Sequence, residues 1–146
     1  MNEFMDAAIA EARLGREAGG VPIGSVLVHN GVILGRGHNQ RVQKGSAVLH
    51  AEMAALENAG RLPARTYRES TLYTTLSPCP MCSGAIELYG IGHVVIGEHQ
   101  TFMGAEKALE MKGVVLDVLD NDECIQLMTE FIRERPDIWN EDIGEE

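Results

Sequence analysis

The chain has 146 residues, 45% of them hydrophobic and 23% charged, which suits one globular domain with a sizeable core. Its formal net charge is −10, and that opposes approach to a phosphate backbone, so a polymeric nucleic acid is disfavoured as substrate. No apolar run of about 18 residues could cross a membrane, and the acidic start, Met1-Asn2-Glu3-Phe4-Met5-Asp6, lacks a leader pattern, which sets a cytoplasmic expectation.

Asn2 to about Glu17 reads as an amphipathic helix, with Phe4, Met5, Ala8, Ile9 and Ala12 at helical spacing. Gly19-Gly20 ends it. An apolar run from Ile23 to Val28 follows, then His29-Asn30-Gly31, then Val32 to Gly35. Asn-Gly between two apolar runs is a hairpin signal. Arg36 to Ser46 reads as a polar, glycine-bearing loop. Leu49 to Asn58 is rich in Ala, Met, Leu and Glu and reads as a helix stopped by Gly60. A polar connector with Pro63 leads to a strand over Thr71–Leu76. A helix over about Pro80–Tyr89, a buried strand at His93–Gly97, a helix at Ala105–Met111 and a strand near Val114–Leu119 come next. Asn121 to Arg135 is a last amphipathic helix, broken by Pro136 before an acidic tail. Helices alternating with strands in the second half predict an α/β sandwich with a mixed sheet. The chain shows no internal repeat and no linker, so residues 1–146 read as one domain.

The chemistry concentrates in Ser77-Pro78-Cys79-Pro80-Met81-Cys82, taken with His50-Ala51-Glu52. The two thiols are three residues apart, on one face at the start of a helix. The helix dipole there helps to hold both as thiolates. Cys79-x-x-Cys82 alone also fits a redox dithiol or half of a zinc ribbon, but a ribbon needs a second cysteine pair and the only other cysteine is Cys124. His29, His38, His93, His99 and Cys124 read as ordinary structural residues. His50, Cys79 and Cys82 together supply three zinc ligands, and three protein ligands leave the fourth position open, as in catalytic sites. Glu52 could simply complement the helix dipole. As the carboxylate beside a zinc whose Lewis acidity two thiolates have blunted, it is instead the group that would move protons. The order His-x-Glu, then Pro-Cys-x-x-Cys, is the signature of the zinc deaminases of nucleobases.

Further segments carry a closer resemblance. Gly35-Arg36-Gly37-His38-Asn39, Gln43-Lys44-Gly45-Ser46, Leu72 to Cys79 and the tail Trp139-Asn140-Glu141-Asp142-Ile143-Gly144 resemble the fungal-type cytosine deaminases, a similarity that runs from about Gly19 to the C-terminus. The resemblance implies a three-layer α/β/α sandwich and a homodimer with one catalytic zinc per subunit. It implies a hydrolase acting on cyclic amidines in pyrimidine salvage, in which zinc-activated water attacks the amine-bearing carbon of cytosine, giving uracil and ammonia. By position it implies His50, Cys79 and Cys82 as zinc ligands and Glu52 as proton shuttle. It implies that Asn39 and Asp142 hydrogen-bond the base, that the Ala51 N–H meets the ring carbonyl and that the Ser77 carbonyl meets the exocyclic amine. Phe102 and Trp139 would wall the ring, and residues 136–146 would cover the site. Two positions depart from the pattern. Ala51 stands where the family has glycine, and Asn140 stands where the fungal enzyme has an aromatic residue, which would place a hydrogen-bonding group at the pocket's gate. Isocytosine and guanine are therefore competing substrates. A tRNA adenosine deaminase and a zinc-stabilised module without activity are the readings from other classes.

Overall fold

A computed structural model describes residues 2–146. Five strands form one sheet: β1 (Gly24–His29), β2 (Val32–His38), β3 (Thr71–Leu76), β4 (His93–Glu98) and β5 (Val115–Val118), in the spatial order β2-β1-β3-β4-β5. β1 is antiparallel to both its neighbours, while β3, β4 and β5 run parallel. Asn30 (φ 50°) and Gly31 (φ 75°) make the tight turn between β1 and β2, as their sequence predicts. The helices are α1 (Glu3–Glu17), α2 (Arg41–Lys44), α3 (Ala51–Ala59), α4 (Ala64–Arg68), α5 (Pro80–Tyr89), α6 (Glu106–Met111), α7 (Asp122–Glu134) and α8 (Pro136–Asp142).

The strands bury both faces, so side chains alternate between two apolar layers. Leu27, Leu72, Val94 and Ile96 point to one face and pack with Ile86 of α5 and Leu109 of α6. Tyr73 and Val95 point to the other and pack with Met5, Ala8, Ile9 and Ala12 of α1 and with Cys124 and Leu127 of α7. The result is the expected three-layer α/β/α sandwich with a mixed sheet. A third cluster, with Val21, Leu76, Met128, Phe131 and Trp139, closes the end of the sheet where β3 stops.

The expected loop over Arg36–Ser46 is corrected. β2 continues through Arg36 and Gly37 to His38, and Arg41–Lys44 forms one helical turn. Gly35 and Gly37 serve close packing. A Cβ on Gly35 would collide with the Ala55 carbonyl oxygen, and one on Gly37 would lie 2.7 Å from the Ala54 Cβ, so α3 lies directly on the backbone of β2. Ala64–Arg68 adds a further short helix inside the expected connector. The tail is not irregular either. Arg135 leaves the helical region (φ −134°, ψ 61°), which ends α7, and Pro136 then starts α8.

Gly24 makes the same kind of contact on the opposite layer, against the backbone of Ala8 and Ala12 in α1. Gly24→Ala is expected to destabilise the protein by about 1–3 kcal/mol. Gly84 sits inside α5 with open space around it, and Gly84→Ala is expected to stabilise by about 0.5–1 kcal/mol. Thermal unfolding of the two variants should therefore shift in opposite directions; a Gly24→Ala protein that melts with the wild type would contradict the packing.

Candidate active site

Two helix N-termini meet just beyond the end of β3. His50 is the N-cap of α3 (φ −63°, ψ 163°) and Cys79 is the N-cap of α5 (φ −68°, ψ 171°). The Cys79 sulfur does the capping, accepting from the Cys82 N–H at 3.5 Å, and Pro80 opens the helix without a donor to lose. His50 makes no side-chain cap, so the first-turn N–H groups of α3, Ala51 among them, receive no acceptor from it.

The His50 Nδ1 lies 3.3 Å from the Cys79 Sγ and 3.7 Å from the Cys82 Sγ, and the three ligand atoms fall within 4.8 Å of one another. Tetrahedral zinc with sulfur at about 2.3 Å and nitrogen at about 2.0 Å separates its ligands by about 3.5 Å, so this set fits the metal. The other ring nitrogen, Nε2, faces the Asp142 Oδ2 at 3.3 Å. A carboxylate on the far side of a ligating imidazole fixes its tautomer and ring orientation.

The electrostatics of the three ligands favour a cation between them. A hydrogen bond from Cys82, against burial and with help from His50, pulls the Cys79 thiol down to about 4. Cys82 goes the other way, because the neighbouring Cys79 sulfur and its own burial raise it. Without a cation between them the two thiols share their charge unevenly, and holding both as thiolates needs positive charge nearby. Burial opposes a charged His50, but hydrogen bonds with Asp142 and Cys79 outweigh it and push the ring up to about 10. A dication at the centre of the set supplies the charge that these protons otherwise provide. Glu52, 5% exposed in the first turn of α3, is lifted to about 7 by burial, with Cys79 adding to the effect and His50 opposing it.

These groups border a small cavity lined by Ile23, His50, Glu52, Leu76, Ser77, Cys79, Phe102, Trp139, Asp142 and Ile143. Phe102 and Trp139 meet edge to face, with centroids 5.7 Å apart. A larger groove lies elsewhere, between α3, α4 and α5, and has no His or Cys in its walls. Three predicted substrate residues are not in the cavity wall. Ala51 is fully buried behind it. Asn39 has both ends of its amide engaged: Nδ2 donates to the Asp142 Oδ1 at 3.1 Å, and Oδ1 accepts from the Arg41 N–H at 3.0 Å. It acts on the cavity through Asp142. Asn140 faces outward, where its amide donates to the Glu146 carbonyl at 3.4 Å. Trp139, Asp142 and Ile143 share one face of α8 at i, i+3 and i+4, and i+1 falls off that face. Asn140 therefore lies beside the cavity wall and not in it.

Arg41 belongs to the site although nothing in its sequence context singles it out. Its guanidinium grips both Glu141 carboxylate oxygens, at 2.6 and 2.8 Å, and the Asp142 Oδ1 at 3.2 Å. It carries no motif, and only the fold shows that it ties α2 to α8. Ile23, Leu76 and Ile143 were equally hidden, since a wall residue and a core residue look alike in sequence.

The purified protein is expected to hold one zinc per chain. Asp142→Asn, which weakens the support behind His50, should lower zinc affinity by about 10–100-fold in a competition with a chelator. Unchanged affinity would remove Asp142 from that role.

Residues 1–98 match the zinc-binding region of the cytidine and deoxycytidylate deaminases. The chain is 54% identical to a cytosine deaminase of Candida albicans over 142 residues, 97% of this chain and 95% of that protein. It is 38% identical to a tRNA-specific adenosine deaminase of Bacillus subtilis, covering 90% of this chain and 88% of the other. A solved structure from studies of A-to-I editing by tRNA:A34 deaminases superposes with a TM-score of 0.71 at 30% identity, over 86% of this chain and 98% of that one. A guanine deaminase from Nitrosomonas europaea superposes at 0.73 with 23% identity, over 88% and 82%, a likeness of fold. A ligand set of the right spacing, a matching zinc-binding region and a near full-length alignment to the Candida protein agree: this chain is a member of the cytidine and deoxycytidylate deaminase family, on the branch of the fungal cytosine deaminases.

Proposed function

We propose that the chain is a zinc-dependent cytosine deaminase that turns free cytosine and water into uracil and ammonia. The observation that carries this reading is that the chain's own α8 walls the small cavity beside the ligand set with Trp139 and Asp142. The 54% identity to the Candida albicans cytosine deaminase, which covers 97% of this chain, supports it, as does the net charge of −10. The whole chain acts as one deaminase domain, with residues 136–146 as its cover.

When bound, zinc supplies the Lewis acidity that lets a neighbouring water lose a proton near neutral pH. Glu52 takes the water's two protons in turn, passing the first to the ring nitrogen beside the amine-bearing carbon and the second to the leaving amine. The water oxygen stays on the ring as the new carbonyl and nitrogen leaves as ammonia. A carboxyl raised to about 7 is suited to both directions of transfer, because its two forms are close in energy at working pH. Phe102 and Trp139 hold the flat ring. The Ser77 carbonyl accepts from the exocyclic amine. Asp142, set by Asn39 and Arg41, accepts a ring N–H. Such pairings discriminate, since a base lacking one of them strands a buried polar group.

The same reading makes the protein a cytoplasmic homodimer that uses neither nucleic acid nor membrane. No helix among the described residues is long and apolar enough to cross a bilayer. Light scattering at micromolar concentration checks the dimer.

Ammonia release should be fastest with cytosine in a panel that includes isocytosine and guanine, and a preference for either of the others overturns the assignment. Salt-sensitive binding of tRNA, with deamination of its adenosine, would replace it with the editing function of the more distant relatives. Glu52→Gln should keep its zinc and lose about 10²–10⁴-fold in kcat. If that variant turned over at the wild-type rate, Glu52 would not be the proton carrier.

A further inference from the structure

Glu106 is a buried carboxyl that the mechanism does not use. It is 8% exposed at the start of α6, and its ion pairs among the described residues include no lysine or arginine. The Ser77 hydroxyl donates to its Oε2 at 2.6 Å, and the His99 Nδ1 lies 3.1 and 3.2 Å from its two oxygens. An apolar side chain would fill this space at lower desolvation cost, so the group is placed for direction and not for packing.

The Ser77 hydroxyl it holds is the hub of the segment that follows β4. The same oxygen accepts from the Gly104 N–H at 2.9 Å. The Ala105 N–H donates to the Pro78 carbonyl at 3.0 Å. A Cβ on Gly104 would collide with that carbonyl, so the two backbones lie in direct contact. The other end of the segment is tied as well. Glu98, fully buried, accepts from the Thr101 N–H and hydroxyl at 2.9 Å each, and the Ser77 N–H donates to the Glu98 carbonyl at 3.1 Å. Between these ties stands Phe102, set against Trp139 in the cavity wall.

We propose that Glu106, seated by His99, is a positioning residue for the deamination: through the Ser77 hydroxyl it fixes the Ser77 carbonyl and the Phe102 wall against the base. This rests on the roles given to Ser77 and Phe102 above. Glu106 touches neither metal ligand nor substrate space, so its removal should loosen the wall and leave the zinc in place.

Trp139 is the chain's only tryptophan, so its fluorescence reports on the Phe102 contact without any substrate. In Glu106→Ala, acrylamide quenching of Trp139 should increase, zinc content should stay at the wild-type level, and KM for cytosine should rise about tenfold or more, with kcat changing less, as expected for a lost buried hydrogen bond to a charged group. Glu106→Gln keeps an oxygen that can accept from Ser77 and should recover most of the affinity. Should Glu106→Ala not fold, Ser77→Ala removes the hydroxyl, keeps the carbonyl and should give the same rise in KM and in quenching. Wild-type KM and quenching in Glu106→Ala, or in Ser77→Ala where that variant stands in for it, overturns the proposal. So does a loss of kcat and thermal stability together that Glu106→Gln fails to restore. If the wild-type protein does not deaminate cytosine, the cytosine assignment is wrong, and unchanged quenching in Glu106→Ala then rejects the positioning role separately.

Discussion

Several ionisable groups are buried within hydrogen-bond range of one another where β3 ends, and the surrounding architecture follows from having to hold them there. His50, Cys79, Cys82, Glu52 and Asp142 are all largely withdrawn from water. Each such group costs several kcal/mol unless it is paired and hydrogen-bonded. Two helix N-termini provide part of the answer, since their free N–H groups and dipoles favour sulfur and carboxylate charge. A metal provides the rest. Bringing α3 to that point requires it to lie on the β2 backbone, which only Gly35 and Gly37 permit. Residues that look like loop composition are therefore a consequence of the metal site's position.

The cover answers to the same constraint. Arg41 neutralises Glu141 and Asp142 together, so closing α8 does not bury an unpaired acid. Asn39, fully buried, spends its amide on the same carboxylate and on the Arg41 backbone. On the opposite wall, Ser77 and Glu106 form a second fully hydrogen-bonded set. Both sets lie outside the reacting centre and set the orientation of groups inside it, which is how a site keeps its geometry without strain.

Local chemistry was readable from the residues and distant geometry was not. The ligand set was legible because His50-Ala51-Glu52 and Pro78-Cys79-Pro80-Met81-Cys82 keep their ligands close in sequence and at helix starts, where spacing translates directly into direction. The strand and helix order was legible from periodicity, including the Asn30-Gly31 turn. The extent of β2 was not, because glycine for close approach and glycine for flexibility look identical until the partner helix is known. The direction of Asn140 was not legible either, because it depends on the phase of α8, which Trp139 and Asp142 set. Arg41 and Glu106 were invisible because each meets its partner across a long loop, 100 residues in one case and 29 in the other.

Asp142 joins these levels. A carboxylate has about four lone-pair sites. Asn39 Nδ2 at 3.1 Å and Arg41 Nη1 at 3.2 Å occupy those on Oδ1, and His50 Nε2 at 3.3 Å occupies one on Oδ2. One site on Oδ2 is left, on a residue that borders the cavity beside the ligating imidazole. A ring N–H donated there would complete the group. Burial opposes its charge, yet the hydrogen bonds with His50 and Asn39 and the Arg41 guanidinium keep its pKa below the ordinary aspartate value, so an acceptor is what it presents. Because Asp142 sits on α8, the helix that walls the cavity also carries the group that orients His50. Closing the cover and completing the support of the metal ligand are then one event. On the proposed reading, a small base held under α8 would be recognised by an oxygen that is in place only when the ligand behind it is correctly set.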